Sequence, residues 1–228
     1  MTHIKLNCTI VFLFIAFCSC GQKHKDNPAA IALNKQAMAI MMHASFDDSD
    51  SVRKAVLLLD SATAIDSDYF LGYYNKLVFL DELKEYDKAL STVNKLIQLR
   101  PYDQNLYTTG GLLCEHLGVS ASSPAYFKKS LEICNRVLDP DTMTAKNDNY
   151  FLLMTTKATN LYMLNDSLGA NETLKKLYND LQQQPEDDFG FIKEEKRTTQ
   201  WLMNRNKKEL MEGLLNGKED ATTQPATP

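Results

Sequence analysis

A small side chain recurs at Ala55, Ala89 and Ser123, two consecutive steps of equal length. Each is followed four positions later by a large apolar residue (Leu59, Val93, Phe127) and seven positions later by Ala62, Leu96 or Ser130. Steps of four and three keep all three on one face of a helix. A second helical stretch precedes each of them. Two helices of this length cannot bury their apolar stripes alone, but stacked pairs can build a continuous core. The spacing therefore demands an array of helix pairs.

Phe70 to Asp103 is the clearest unit, with helices expected over Phe70–Leu83 and Asp87–Leu99. Tyr73, Leu80, Ala89, Val93, Leu96 and Pro101 occupy places 4, 11, 20, 24, 27 and 32 of its 34-residue window. This pattern resembles the tetratricopeptide repeat (TPR) family. Leu77 departs from it at the eighth place, where closest helix approach favours Gly or Ala. The next window, Gln104 to Val137, fits without insertion through Tyr107, Gly111, Cys114, Ser123, Phe127 and Ser130. Gly118 is suited to end its first helix and Pro124 to stand in the first turn of its second.

The outer units are more degenerate. Asn27-Pro28 starts a first helix, with helical spacing through Ile31, Met38, Met42 and Phe46, before the acidic turn Asp47 to Asp50. A partner helix is expected over Ser51 to Ile65. Ala39 stands where the pattern has an aromatic, and His43 where it has a small residue. After Val137 the step lengthens, since the next small residue in matching company is Ala170. The longer step predicts a helix ending near Leu138, a loop through Asp139 to Asn149, and a fourth unit from Phe151 to about Gln184. Met154, Ala158, Leu161, Ala170, Leu174 and Leu177 mark that unit. A last helix, roughly Asp188 to Leu214, carries Phe191, Ile192, Leu202, Met203, Leu210 and Leu214 along one side, with Trp201 expected against it. The predicted fold is all-α: a right-handed α-solenoid of about four TPR helix pairs over residues 28–214 with a C-terminal capping helix, then a disordered tail over 215–228.

Residues 1–19 read as an export signal, with Lys5 before the apolar run Cys8 to Ser19, which is shorter than the roughly 20 residues a membrane-spanning helix needs. Phe17-Cys18-Ser19-Cys20-Gly21 resembles a bacterial lipobox, with Phe17 where leucine is commoner. The resemblance implies lipid on Cys20 and a tether over residues 20–27; the alternative is an ordinary secretory signal. An acyl anchor contributes about 0.8 kcal/mol per buried CH₂. The expected address is the bacterial cell envelope, lipid-anchored at the outer membrane. Cys114 and Cys134 would remain, displaced by about 15 Å along antiparallel helices, beyond disulfide reach. They are expected as buried free thiols.

Formal charge is −4, and loss of Lys5 leaves 24 basic against 29 acidic side chains. Without a basic stripe, nucleic acid is not an expected partner. No Gly-rich phosphate loop, GxSxG or HExxH occurs. Cys114, Glu115 and His116 are consecutive on a helix, about 100° apart, and cannot jointly hold one metal. Asp47, Asp48 and Asp50 lack the glycine and distal glutamate of a calcium loop. No enzyme activity, cofactor or metal is expected. Asp50-Ser51-Val52, Asp141-Thr142-Met143 and Asp166-Ser167-Leu168 resemble an O-glycan acceptor pattern, but helix capping is the simpler reading.

The TPR resemblance implies a concave groove lined by places 2, 5, 9, 12 and 13 of each first helix. These are Leu71, Tyr74, Val78, Asp81 and Glu82; then Asn105, Thr108, Leu112, Glu115 and His116; then Leu152, Thr155, Thr159, Tyr162 and Met163. Where carboxylate-clamping TPR modules use Lys, Arg and Asn, this groove has Tyr74, Val78, Asp81 and Glu82, so a C-terminal carboxylate tail is not the expected ligand. The groove is apolar and hydroxyl-rich with an acidic rim, suited to a helix or extended segment with basic or neutral residues. The implied function is a protein-interaction module of an envelope complex, with outer-membrane protein or pilus assembly and glycan uptake as alternatives.

Overall fold

A computed structural model describes residues 24–43, 48–138, 143–144, 147, 149–185 and 190–216. Among them, eight helices form four consecutive antiparallel pairs. These are α1 (Pro28–His43) with α2 (Ser49–Ile65), α3 (Phe70–Glu82) with α4 (Tyr86–Leu99), α5 (Gln104–His116) with α6 (Ser123–Val137), and α7 (Tyr150–Met163) with α8 (Ser167–Gln182). Each helix packs against the next in the chain, and α9 (Phe191–Leu202) continues the stack on α8, followed by α10 (Lys207–Asn216).

The repeat is written in burial. At place 20, Ala55, Ala89, Ser123 and Ala170 are all 0% exposed, as are Leu59, Val93, Phe127 and Leu174 at place 24 and Ala62, Leu96, Ser130 and Leu177 at place 27. Second helices therefore turn the same stripe into the core in every pair. Where the first helix comes closest, the eighth place holds Gly111 in the third pair and buried Ala158 in the fourth. A Cβ on Gly111 would stand 2.5 Å from Phe127 Cε1, so no other residue fits there without displacing that ring. Half-buried Leu77 holds the same place in the second pair. The chain is thus an α-solenoid with TPR-type pairs.

Turns inside the pairs repeat as well. Lys84, Gly118 and Asn165, all at place 15, have φ of 57°, 71° and 63°. The next residue donates its N–H to the carbonyl five positions back in each case: Glu85 to Leu80 (2.9 Å), Val119 to Cys114 (3.0 Å) and Asp166 to Leu161 (2.9 Å). This bond closes a Schellman-type helix end, whose left-handed residue strains any side chain with a Cβ. Lys84→Gly is accordingly expected to raise stability by about 1 kcal/mol, read as an increase in melting temperature.

Several expectations need correction. α1 ends at His43, and Phe46 lies outside the described residues. Five residues separate α1 from α2, against three between α3 and α4, so the first helix sits earlier than the 34-residue frame places it. Ala30 and Ala37, both 0% exposed, are its core contacts, and Asn75 Nδ2 donates to Asn34 Oδ1 at 2.8 Å. The expected cap at Asp50 is instead Asp48, which accepts from Ser51 N at 3.2 Å. The single last helix is two, because Asn204 adopts φ of 63° between α9 and α10. Phe191 is 66% exposed and does not share the buried face of Leu202 and Leu210. Cys114 and Cys134 are buried and unbonded, and burial pushes the Cys134 thiol up to about 11. The leader, Cys20, the stretch 139–142 and residues 217–228 lie outside the described residues.

Candidate functional site: the first-helix face

First helices approach one another, α1 to α3 and α5 to α7, whereas among the described residues no pair of second helices makes comparable contact. The first helices thus share one side of the stack. Along α3, Leu71, Tyr74 and Val78 are 48%, 46% and 50% exposed. Spacings of three and four residues align them on one face. Asp81 and Glu82 follow at its end, both exposed. Tyr74 stacks on Phe70, with ring centroids 6.1 Å apart. The nearby cation Lys76 is occupied by Asp60 at 2.5 Å.

On α5 the expected residues divide. Thr108 donates to Asn160 Oδ1 (3.0 Å), Asn160 Nδ2 donates to Ser130 Oγ (2.8 Å), and Ser130 donates to the Gln104 carbonyl (2.8 Å). Asn105 Oδ1 accepts from Thr156 at 3.2 Å. Asn105 Oδ1 and the Thr108 hydroxyl thus tie the third pair to the fourth. The sequence carried a signal for this: Ser130 and Asn160 are polar residues on faces that turn to the core, and both are 0% exposed. His116 is exposed and packs its ring on Tyr86, centroids 4.0 Å apart.

The Glu115 end of the far half is covered by the chain itself. After the break at Asn204, α10 reaches back by side-chain contacts to Glu115 on α5 and to the apolar cluster that α7 shares. Lys207 Nζ meets Glu115 Oε1 at 2.7 Å, bridging 92 positions of sequence. Leu210, 0% exposed, belongs to one apolar cluster with Ala158, Tyr162 and Met163, against which Leu112, Trp201 and Met211 pack. Tyr162 is 1% exposed, and its hydroxyl donates to Asn171 Oδ1 at 2.9 Å, with the Leu202 carbonyl 3.2 Å away. Tyr162 and Met163 are therefore interior residues of this structure rather than accessible groove residues. Partial burial pushes the Glu115 carboxyl up, but its bonds from Lys207 and Ser123 prevail and hold it below the ordinary value.

The remaining fourth-pair residues behave differently from one another. Thr155 donates to its own helix at the Phe151 carbonyl (2.9 Å), and Thr159 is half-buried. Leu152 is 44% exposed. It lines a shallow cleft of about 790 Å³ with Tyr102, Asn105 and Val137, at the end of the face away from Glu115. A separate polar corner joins the N-terminal segment to the body. Asp66 accepts from Asn27 N at 2.8 Å and from Asp68 N at 3.1 Å, with His24 Nε2 2.9 Å away. Its ligand atoms and those of His24 and Asp26 lie within 4.8 Å of one another, but the Asp66 oxygens are already engaged in clamping this segment.

No helix among the described residues is long and apolar enough to cross a membrane. No protein-family model matches the chain. No curated protein matches it in sequence. Among solved structures, a tetratricopeptide repeat protein from Parabacteroides merdae is similar, at 17% identity over 83% of this chain and 84% of that one, with a TM-score of 0.39.

Proposed function

We propose that this chain is a membrane-anchored protein-interaction module, held through lipid on Cys20 and docking a segment of a partner protein on the open half of its first-helix face. The observation that carries the reading is the aligned, half-exposed row Leu71, Tyr74 and Val78, ending in Asp81 and Glu82. A TPR-type solenoid is an interaction scaffold by construction: each pair uses one face for the core and leaves another for partners. The clamp at Asp66 supports the anchored arrangement, because it fixes His24 to the body. Four Cα steps from Cys20 to His24 reach at most about 15 Å, which would keep the scaffold close to the membrane and orient it. An envelope complex is the setting this implies.

The test is photocrosslinking in the native host, with a photoreactive residue at Tyr74 compared with one at Lys95, which lies on α4 outside the row. A defined protein trapped from position 74 and absent from position 95 is the expected result. The same proteins from both positions, or from 95 alone, would reject docking on this face.

A further inference from the structure

The chain displays, in α10, the kind of segment its first-helix face accepts. Lys207 pairs with Glu115 at 2.7 Å, and three residues later Leu210 is 0% exposed in the cluster that Leu112 joins. Glu115 and Leu112 stand at places 12 and 9 of their repeat. One repeat earlier, the same places hold Asp81 and Val78. An acid lies one helical turn from an aliphatic side chain in both repeats. At the earlier pair nothing among the described residues covers them: Val78 is 50% exposed, Asp81 is exposed, and neither Asp81 nor Glu82 is paired there with a cation, Lys76 being held by Asp60. Glu82 stands where the later repeat has His116, which makes the open end more acidic than the occupied one.

We infer that the open half binds an amphipathic helix that, like α10, opens on a basic side chain, with a Lys or Arg facing Asp81 and an aliphatic residue three positions later covering Val78. The inference rests on the docking reading above and adds the class of segment. Leu71 and Tyr74 extend the apolar strip toward the following turns of such a helix. Basic charge matches the Asp81–Glu82 end, where a like-charged helix would be repelled. Helix-in-groove recognition of this kind uses anchors at i, i+3 and i+4, the spacing that Lys207, Leu210 and Met211 show on the neighbouring half.

A fluorescent synthetic peptide of residues 204–216 serves as the probe, titrated by anisotropy into the full chain at low salt. The intramolecular α10 keeps the Glu115 half filled, so the free peptide reads the open half. Saturable binding is expected, weakened at least about tenfold by Asp81→Lys and recovered when the peptide carries Lys207→Glu and Lys208→Glu. Val78→Asp, a second exposed position, should weaken the unmodified peptide as well. No saturable binding, or binding sensitive to Glu115→Lys and indifferent to both Asp81→Lys and Val78→Asp, would overturn the inference. A specific crosslink from Tyr74 alongside such a failure would leave docking on this face standing with a partner of another chemistry.

Discussion

Replacing Phe127 by alanine is expected to lower stability by about 3–5 kcal/mol. Phe127 is 0% exposed, and its ring fills the space that Gly111 leaves by having no Cβ. It also belongs to the cluster that joins α6 to α7, α8 and the two C-terminal helices. Removing it opens a cavity bounded on α5 by Gly111, which has no side chain to fill it. At about 2–4 °C per kcal/mol for a chain of this size, the melting temperature should fall by roughly 10 °C. Circular dichroism checks this, and hydrogen exchange should show protection lost first in α5 to α10. The reciprocal change, Gly111→Ala, crowds the same ring. A loss below about 1 kcal/mol for Phe127→Ala would mean that α5 and α6 collapse together freely, against the repeated close packing described above.

Leu210→Asp is expected to undock α10 without unfolding the array. An unpaired carboxylate cannot stay in an apolar cluster, and α10 has an exit at Asn204, whereas the other helices are held between neighbours. Trp201 packs beside this cluster with the Arg205 guanidinium 4.7 Å from its ring centre. Its emission should shift to the red, and amides of residues 207–211 should exchange freely while α1 to α4 keep their protection. Acid should act in the same direction. The Glu115 carboxyl is held below its ordinary value of 4.5 by Lys207 and Ser123, after burial's opposite effect. The share of that depression owed to Lys207 stabilises docking, fully above about pH 4.5. That contribution is lost as pH falls through the lower folded value. Unchanged emission and exchange in Leu210→Asp would show that Leu210 does not hold α10 in place.

Most of the array was legible because its spacing is a direct record of packing. Ala89, Val93 and Leu96 announce one helix face whatever the tertiary context, and their equivalents in the neighbouring repeats are equally buried. The first pair was legible in its start at Pro28 and its end at Ile65, but not in its frame: the longer link to α2 frees α1 from the common repeat. The groove was legible only as a list of places. On α3, with no described segment crossing it, Leu71, Tyr74, Val78, Asp81 and Glu82 stand exposed as the pattern implies. On α5 and α7 the outcome depended on contacts far apart in sequence. Nothing near Tyr162 foretells the Leu202 carbonyl beside its hydroxyl, and nothing near Glu115 foretells Lys207. Amphipathic spacing from Leu202 to Leu214 indicated that this segment is covered, yet the turn at Asn204 decides which surface covers it. Asparagine tolerates a left-handed φ, which was the available signal.

The central placement is that α10 meets the first-helix face at Glu115 and leaves α3 open. Zero-length carbodiimide coupling of the intact protein, followed by peptide mass spectrometry, tests that placement directly, because such a bond forms only between an amine and a carboxylate already in contact. The structure places Lys207 Nζ 2.7 Å from Glu115 Oε1, so an amide between residues 207 and 115 should be a dominant product, abolished by Glu115→Gln. Coupling of Lys207 to Asp81 or Glu82 instead would put α10 on the half described as open, and no coupling to any first-helix acid would remove α10 from this face altogether.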